Sequence, residues 1–184
     1  MEQNIFLKEL KKKSKERNIP NISEENAQFL CKMVRENRYK NILEIGTANW
    51  YSSICFALEL LEKQGSITTI EFSQEAYEEA KSNFKEAWVD HIITPLLGNA
   101  LSILPDLQET YDFIFIDGMK KHSLDFYLLS KEKLKQWWTI IIDDVIKFKH
   151  KMNTLYEYLE KNKIFYEIVQ IDPDDGIMII NNKT

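Results

Sequence analysis

The 184-residue chain is short of glycine and cysteine, and it has no long apolar run. Glycine provides 5 of the 184 residues. The usual share is about 7%, so this chain has less than half of it. So few glycines argue against the tight phosphate-binding loops of nucleotide-binding folds. Cys31 and Cys55 are too few for a disulfide framework, and their spacing is not that of a metal site.

The lack of long apolar runs also bears on where in the cell the protein is expected. Every apolar run is shorter than the roughly 18 residues that a membrane helix needs, so we expect no membrane partner. Residues 1–13 are charged and lack the apolar centre of a signal peptide, which predicts a cytoplasmic protein. The net charge of -5 argues against broad nucleic-acid binding, although basic clusters lie at residues 8–17 and 147–151.

Strand-like and helix-like patterns alternate along the chain, which predicts one α/β domain with a mostly parallel sheet covered on both faces. The predicted strands cover residues 41–46, 66–71, 92–98, 111–117, 139–144, 165–170 and 176–180. The predicted helices cover residues 2–17 (ended by Pro20), 51–63, 100–107, 122–136 and 150–162, with two more that begin after Ser23 and Ser73.

Acids, amides and glycines stand where five of these strands end. In open α/β sheets, ligands bind beyond the carboxyl ends of the strands, so these residues are the candidate site. They are Glu44 to Gly46, Glu71, Gly98 and Asn99, Asp117, and Asp143 and Asp144.

Glu71 has the position of an acid that binds a ribose diol, since it ends the second strand about 25 residues after the first glycine turn. A nicotinamide dinucleotide and S-adenosylmethionine both present such a diol. No G-x-G-x-x-G sequence follows the first strand, so the dinucleotide fingerprint is absent. Ser52, near the start of the next helix, is placed to donate to a ligand carboxylate.

Asp117, Asp143 and Asp144 end neighbouring predicted strands, so their carboxylates are expected on one edge of the sheet. Such an all-oxygen cluster suits Mg²⁺ or a similar cation, whereas the alternative is that the acids cap the following helices. Lys120 follows Asp117 by three residues. Beside a cation its pKa would be depressed and it would act as a general base; otherwise it is a solvated lysine.

Taken together, these motifs resemble the cation-dependent class I O-methyltransferases, the catechol O-methyltransferase-like group and its small bacterial relatives. The resemblance implies a Rossmann-like fold in which a helical lead-in (residues 1–38) precedes a core (39–184) with a seven-stranded sheet and an antiparallel last strand. The matching segments are IPNIS (19–23), LEIGTANWYSS (43–53), ITTIE (67–71), GNALSILP (98–105), YDFIFIDGMKKH (111–122), IIIDDV (140–145) and DDGIMII (174–180).

The resemblance also implies residue roles, a small hydroxylated acceptor such as a catechol, and a homodimer. The implied S-adenosylmethionine contacts are Gly46 and Ser52 at its methionine part, Glu71 at its ribose, Gly98, Asn99 and Ala100 at its adenine, and Asp117. Asp117, Asp143 and Asp144 would hold Mg²⁺, and Lys120 would be the catalytic base. Asp144 replaces the usual asparagine, Asn99 replaces the usual aspartate, and the segment after Asp144 is short.

Two alternatives stay open. Some bacterial relatives methylate a hydroxylated wobble uridine of tRNA, and the basic clusters favour that acceptor. The second alternative is a folded relative that does not bind its cofactor.

Tryptophan motivates the second alternative. All four tryptophans, Trp50, Trp88, Trp137 and Trp138, occupy positions where the resembling family has glycine. We hypothesise that the gene comes from a genetic code that reads UGA as glycine; ordinary UGG codons in the native DNA would refute this. In the polypeptide as written, the Trp50 indole is expected where the methionine end of the cofactor lies, so binding should be weak.

Overall fold

The computed structural model describes residues 2–17, 19, 22–48, 50–173 and 175–181. Within them, seven strands form one sheet in the order β3-β2-β1-β4-β5-β7-β6. The first five strands are parallel, and β7 runs antiparallel to both β5 and β6, which confirms the predicted fold class. The strands are β1 (Asn41–Ile45), β2 (Ser66–Glu71), β3 (Ile93–Leu97), β4 (Tyr111–Ile116), β5 (Leu134–Ile142), β6 (Glu167–Val169) and β7 (Ile177–Asn181).

Helices cover both faces of the sheet. Ser23 and Ser73 cap the helices that follow them, as predicted: their side chains accept from the Asn26 and Ala76 backbone N–H groups at 3.0 and 3.3 Å. The helices are α1 (Glu2–Glu16), α2 (Glu24–Glu36), α3 (Tyr51–Leu60), α4 (Gln74–Glu86), α5 (Ala100–Ile103), α6 (Ser123–Lys131) and α7 (Asn153–Lys161). Short 3-10 turns cover Leu61–Lys63, Leu104–Asp106, Lys120–His122 and Lys149–Lys151.

Two apolar cores sandwich the sheet, which explains the continuous apolar runs of the central strands. In β4, Phe113 and Phe115 point into one core, which we call the first core. Ile114 and Ile116 point into the other, which we call the second core. All four are almost fully buried, as expected for strands covered on both faces. Among the described residues, no helix combines the length and apolar character needed to cross a membrane.

The prediction of one helix over residues 122–136 is wrong. Helix α6 ends at Lys131, and β5 begins at Leu134, five residues before the predicted strand start at Thr139. The Tyr111 N–H donates to the Lys133 carbonyl at 2.7 Å, so from this point the chain pairs with β4 instead of continuing the helix. The register then shifts between Tyr111 and Phe113.

This correction places the Trp137 and Trp138 backbone inside β5 rather than in a turn before it. Trp138 is half-buried and packs against the second core. Nothing is described for the Trp137 side chain. Four residues within the predicted motifs, Pro20, Asn21, Asn49 and Asp174, lie outside the described residues.

Two tryptophans adopt a backbone conformation that favours glycine. Trp50 precedes α3 with φ = 67°, and Trp88 follows α4 with φ = 60°. L-residues with a Cβ pay a steric cost in this left-handed region, whereas glycine does not. The backbone at both positions is therefore the one expected if the fold were built for glycine.

Candidate active site

A cavity of about 440 Å³ lies at the carboxyl ends of β1 to β4. We call it the strand-end cavity. It brings together six of the predicted cofactor residues: Gly46, Glu71, Gly98, Asn99, Ala100 and Asp117. Their convergence follows from the parallel order of the strands, because each strand ends at the same edge of the sheet.

Gly46 allows β1 and β4 to approach closely beneath this cavity. Its φ is 95°, and a Cβ at this position would lie 2.8 Å from the Asp117 carbonyl oxygen. Any side chain there would clash with the backbone, so the turn after β1 requires glycine.

Backbone hydrogen bonds fix the Glu71 carboxylate at the wall of the cavity. The Ala48 N–H donates to Oε2 at 2.9 Å, and the Ser73 N–H donates to Oε1 at 2.7 Å. Each carboxylate oxygen can accept a further hydrogen bond. The group is thereby oriented to receive two hydroxyl donors, as a ribose diol would supply.

Asn99 combines a place in the cavity wall with a helix cap. Its side-chain oxygen accepts from the Leu101 N–H at 3.0 Å and so caps α5. The cap holds the turn that carries Gly98 and Ala100 along the cavity.

Ser52, in contrast, does not line the strand-end cavity. Its hydroxyl donates to Glu44, as do the hydroxyls of Ser53 and Thr69, the last at 2.7 Å. Burial raises the pKa of Glu44 to about 7, although these three hydrogen bonds act in the opposite direction. The structure thus turns Ser52 inward, to a buried carboxyl, rather than toward a ligand.

A second cavity of about 410 Å³ opens beside the first. We call it the acidic cavity, because five aspartates line it: Asp117, Asp143, Asp144, Asp172 and Asp175. Its other lining residues are Ile22, Ser23, Asn26, Lys147 and Phe148. Asp117 lines both cavities, so the two meet at this side chain.

Lys120 is ion-paired to two of the predicted metal ligands. Its Nζ lies 2.7 Å from Asp117 Oδ1 and 3.0 Å from Asp144 Oδ2. Burial by itself lowers the pKa of Lys120, but the carboxylates of Asp117 and Asp144 raise it more strongly, so its pKa lies above the usual value. This direction is opposite to the depression expected beside a metal cation.

The three aspartates of the predicted metal site are close to one another but do not converge as ligands. Within the described ranges, no three His, Cys, Asp or Glu side chains are grouped closely enough to hold a metal ion. The Lys120 ammonium occupies the space between Asp117 and Asp144. Asp143 Oδ1 is buried with no hydrogen-bond partner. The donor chemistry of three carboxylates, one with an unused oxygen, suits a hard divalent cation, but their arrangement around Lys120 in this structure is not that of a formed metal site.

The sequence interpretation missed several residues that line the strand-end cavity. Phe72, Met119, His122 and Phe126 are among them. One sequence signal was available for Phe72, because it directly follows Glu71 at the end of β2; in the structure 75% of its surface is exposed. The others come from the segment after β4 and from α6, whose approach depends on tertiary packing.

The structure also corrects the expectation that the Trp50 indole lies where the methionine end of the cofactor would bind. Its indole is only 2% exposed, packs in the first core and lines a separate cavity of about 230 Å³ with Arg17 and Ser73. It does not line the strand-end cavity. The buried indole Nε1 has no hydrogen-bond partner. Weak cofactor binding stays a prediction, but the indole does not stand inside this cavity.

Comparison with known proteins agrees with this geometry. A family model described as O-methyltransferase matches residues 1–181. The chain belongs to this O-methyltransferase family. Tapetum-specific methyltransferase 1 of Arabidopsis thaliana is 30% identical over an alignment of 199 positions, which takes in 95% of this chain and 84% of the relative.

Other relatives of this chain are longer than the region that matches it. The catechol O-methyltransferase of Mycobacterium tuberculosis is 28% identical over 127 residues, 68% of this chain and 57% of the relative. The caffeoyl-CoA O-methyltransferase of Medicago sativa is 34% identical over 116 residues, 60% of this chain and 47% of the relative. The chain thus spans about half the length of these two relatives.

Solved structures share the fold of this chain. The O-methyltransferase from Bacillus cereus in complex with SAH is 26% identical, with a TM-score of 0.85 over 97% of this chain and 90% of that one. The O-methyltransferase TomG from Streptomyces achromogenes in complex with SAM has a TM-score of 0.87 at 23% identity, over 97% of this chain and 90% of that one. The second match shows the fold alone.

Proposed function

We propose that the protein transfers the methyl group of S-adenosylmethionine to a hydroxyl oxygen of a small, catechol-like acceptor. One observation carries the proposal: Asp117 lines both the strand-end cavity and the acidic cavity. A methyl donor in the first cavity and an acceptor in the second would meet at this side chain. Such close placement of the two reactants supplies much of the rate in transfer reactions.

The strand-end cavity has the chemistry to bind the donor. The oriented Glu71 carboxylate would accept from the ribose hydroxyls, since backbone N–H groups already hold it in place. Apolar walls from Ile70, Phe72 and Phe126 would enclose the adenine. The methionine part would lie along Gly46, which lines the same cavity.

In the acidic cavity, Asp117, Asp143 and Asp144 would hold Mg²⁺ or a similar cation. Such a cation, when bound, lowers the pKa of an acceptor hydroxyl. The carboxylates that now raise the pKa of Lys120 would be shared with that cation, so the ammonium of Lys120 would lose stabilisation. Lys120 Nζ would then accept the proton that leaves the acceptor hydroxyl.

The test is methyl transfer itself. We expect the protein to convert a catechol and S-adenosylmethionine to the methyl ether, measured by mass spectrometry, with a loss on chelation that added Mg²⁺ reverses. Lys120→Met should lower kcat by about 10²-fold or more, with binding of S-adenosylhomocysteine unchanged. Lys161→Met, on the exposed end of α7, is the matched control. Absence of product, or full activity in Lys120→Met, contradicts the proposal.

A tRNA hydroxyuridine is the second candidate acceptor. Lys147 lines the acidic cavity, and the exposed side chains of Lys149 and Lys151 follow it in the next 3-10 turn. These cations are the candidates for contacts with RNA phosphates. Transfer of methyl groups to undermodified tRNA, in competition with a catechol, distinguishes the two acceptors.

Impaired cofactor binding is the third candidate, and Trp50 motivates it. Its positive φ and its buried, unpartnered indole nitrogen show a loop under local strain directly before α3. Titration calorimetry with S-adenosylhomocysteine decides this candidate. Stoichiometric binding refutes it, whereas no detectable binding in the folded protein supports it.

A further inference from the structure

His122 lines the strand-end cavity, and neither the sequence motifs nor the family resemblance gives it a role. It ends the short 3-10 turn directly before α6. Two hydrogen bonds fix this turn: the His122 N–H donates to the Met119 carbonyl at 2.9 Å, and the Ser123 hydroxyl donates to the Lys120 carbonyl at 2.7 Å. The half-buried imidazole lies beside Phe126, with 6.1 Å between the ring centres. The ring therefore has a defined place in the cavity wall.

The contact with Asp125 decides which nitrogen of the imidazole can accept a hydrogen bond. His122 Nδ1 lies 3.1 Å from Asp125 Oδ2. A carboxylate is an acceptor only, so a neutral imidazole in this contact keeps its proton on Nδ1 and donates it to the carboxylate. The other ring nitrogen, Nε2, then carries a lone pair and no proton. The two side chains together offer one hydrogen-bond acceptor at the cavity.

The fold places this acceptor next to the segment that would contact the purine of the methyl donor. Helices α5 and α6 pack against each other and into the second core, and both begin at the carboxyl edge of the sheet. Gly98 and Asn99 lead into α5, which begins at Ala100, and His122 leads into α6. All four residues line the strand-end cavity, so the starts of the two helices enclose one part of it.

The chemistry of the lining leaves one acceptor for the exocyclic amine of a purine. The polar or charged side chains among the described lining residues are those of Glu71, Asn99, Asp117, Lys121 and His122. Glu71 is assigned to the ribose, and Asp117 lies at the junction with the acidic cavity. The Asn99 oxygen already caps α5, and the ammonium of Lys121 cannot accept a hydrogen bond. His122 Nε2 is the acceptor that no other contact claims.

We propose that His122 Nε2 accepts a hydrogen bond from the exocyclic amine of the donor's adenine, with Asp125 as a positioning residue for the imidazole. This inference rests on the proposed binding of S-adenosylmethionine in the strand-end cavity, and it names the residue that selects the base. A 6-oxo purine has an oxygen in place of the amine. Two acceptors would then face each other, and an acceptor left without a donor costs free energy. The site therefore prefers an amino purine to an oxo purine.

The experiment compares two ligands that differ at position 6 of the purine. S-adenosylhomocysteine carries the amine there, and S-inosylhomocysteine carries an oxygen. Their dissociation constants are measured by titration calorimetry at about pH 8, above the range in which imidazole side chains ordinarily lose their proton. We expect S-adenosylhomocysteine to bind about tenfold more tightly than S-inosylhomocysteine.

Variants assign this selectivity to His122 and Asp125. His122→Phe keeps a ring beside Phe126 and removes both nitrogens, so the ratio of the two dissociation constants should fall about threefold or more. His122→Gln supplies an acceptor oxygen and should recover part of the ratio. Asp125→Ala frees the imidazole proton to move to Nε2 and should also lower the ratio. His91→Phe replaces an exposed histidine elsewhere and should leave the ratio unchanged.

The ratio separates base recognition from a structural role, because a loss of packing weakens the binding of both ligands alike. Equal affinity for the two ligands, or an unchanged ratio in His122→Phe, overturns the inference whether or not methyl transfer occurs. Failure of both ligands to bind the folded protein overturns the inference together with the proposed donor site. Amine-selective binding that depends on His122, without methyl transfer to a catechol, supports the inference and contradicts the proposed function.

Discussion

Glu44 and Glu71 are both acids in neighbouring parallel strands, and their surroundings give them different roles. Glu71 is half-buried, and backbone N–H groups orient its carboxylate at the wall of the strand-end cavity. Glu44 is fully buried, and three hydroxyls donate to it. Residue type alone does not separate these roles, whereas the source of the hydrogen-bond donors does.

The role of Glu71 is testable by removing its charge. Glu71→Gln should weaken S-adenosylhomocysteine binding by about 10-fold or more, since hydrogen bonds to charged groups contribute roughly 1.5–3 kcal/mol. The amide NH₂ would also face one of the backbone donors, Ala48 or Ser73. Titration calorimetry measures the change, and Glu62→Gln, in an exposed 3-10 turn, is the control. Equal affinities would remove Glu71 from the binding site.

At the scale of single elements, the ends of helices show where sequence and backbone disagree. Trp88 follows the end of α4 at φ = 60° with 79% of its surface exposed. A position just after a helix, with positive φ, is where glycine is usually found. Trp50 has a similar φ before α3, but its indole is buried in the core. The two sites therefore respond differently to glycine.

Trp88→Gly should stabilise the protein. Relief of the left-handed strain, about 1–2 kcal/mol, exceeds the extra backbone entropy that glycine loses on folding, about 0.5–1 kcal/mol. Little buried surface is lost, because the indole is exposed. Urea unfolding measures the change, and Trp88→Ala, which keeps a Cβ at the same φ, should show no comparable gain. A lower free energy of unfolding in Trp88→Gly would contradict this explanation.

Trp50→Gly should destabilise the protein although it relieves the same strain. Removal of a buried large side chain costs about 3–5 kcal/mol, which exceeds the roughly 1–2 kcal/mol of relieved strain. The same urea unfolding experiment applies. A gain in stability would mean that the loop repacks around glycine, and it would favour the hypothesis that the native gene encodes glycine here.

At the scale of the whole molecule, Glu44 links three elements of the fold. Its carboxyl, in β1, accepts from Ser52 and Ser53 of α3 and from Thr69 of β2. Burial raises its pKa to about 7, from an ordinary value of 4.5. The folded state thus binds the Glu44 proton more tightly than the unfolded state does. The stability that this group contributes is fully present at low pH and is lost as the pH rises toward 7.

The expected pH dependence is specific to this residue. Between about pH 4.5 and pH 7 the Glu44 contribution should fall by about 3 kcal/mol, since each unit of pKa shift corresponds to about 1.4 kcal/mol. Glu44→Gln should therefore flatten the dependence of the unfolding free energy on pH over this range, relative to the unsubstituted protein. Glu62→Gln should retain the original slope. Identical slopes in Glu44→Gln and the unsubstituted protein would show that Glu44 titrates normally.

Local patterns in the sequence determined most of the fold and much of the site. Strand-helix alternation predicts the parallel sheet, and the ends of β1 to β4 predict Gly46, Glu71, Gly98 and Asp117 at one edge, because parallel strands bring their carboxyl ends together. Ser23 and Ser73 cap their helices through backbone N–H groups three residues away, so these caps could also be predicted from the sequence. Homodimer formation stays a prediction.

Only the tertiary structure decided the roles that depend on distant partners. Ser52 donates to Glu44 of β1 rather than to a ligand. Helix α6 ends earlier than predicted because the residues after it form hydrogen bonds with β4. Lys120 is ion-paired to both Asp117 and Asp144, which its position after Asp117 did not predict, and the metal site stays a prediction. In each case the deciding contact is a hydrogen bond or ion pair with another element, and its energy depends on burial and geometry that no local pattern contains.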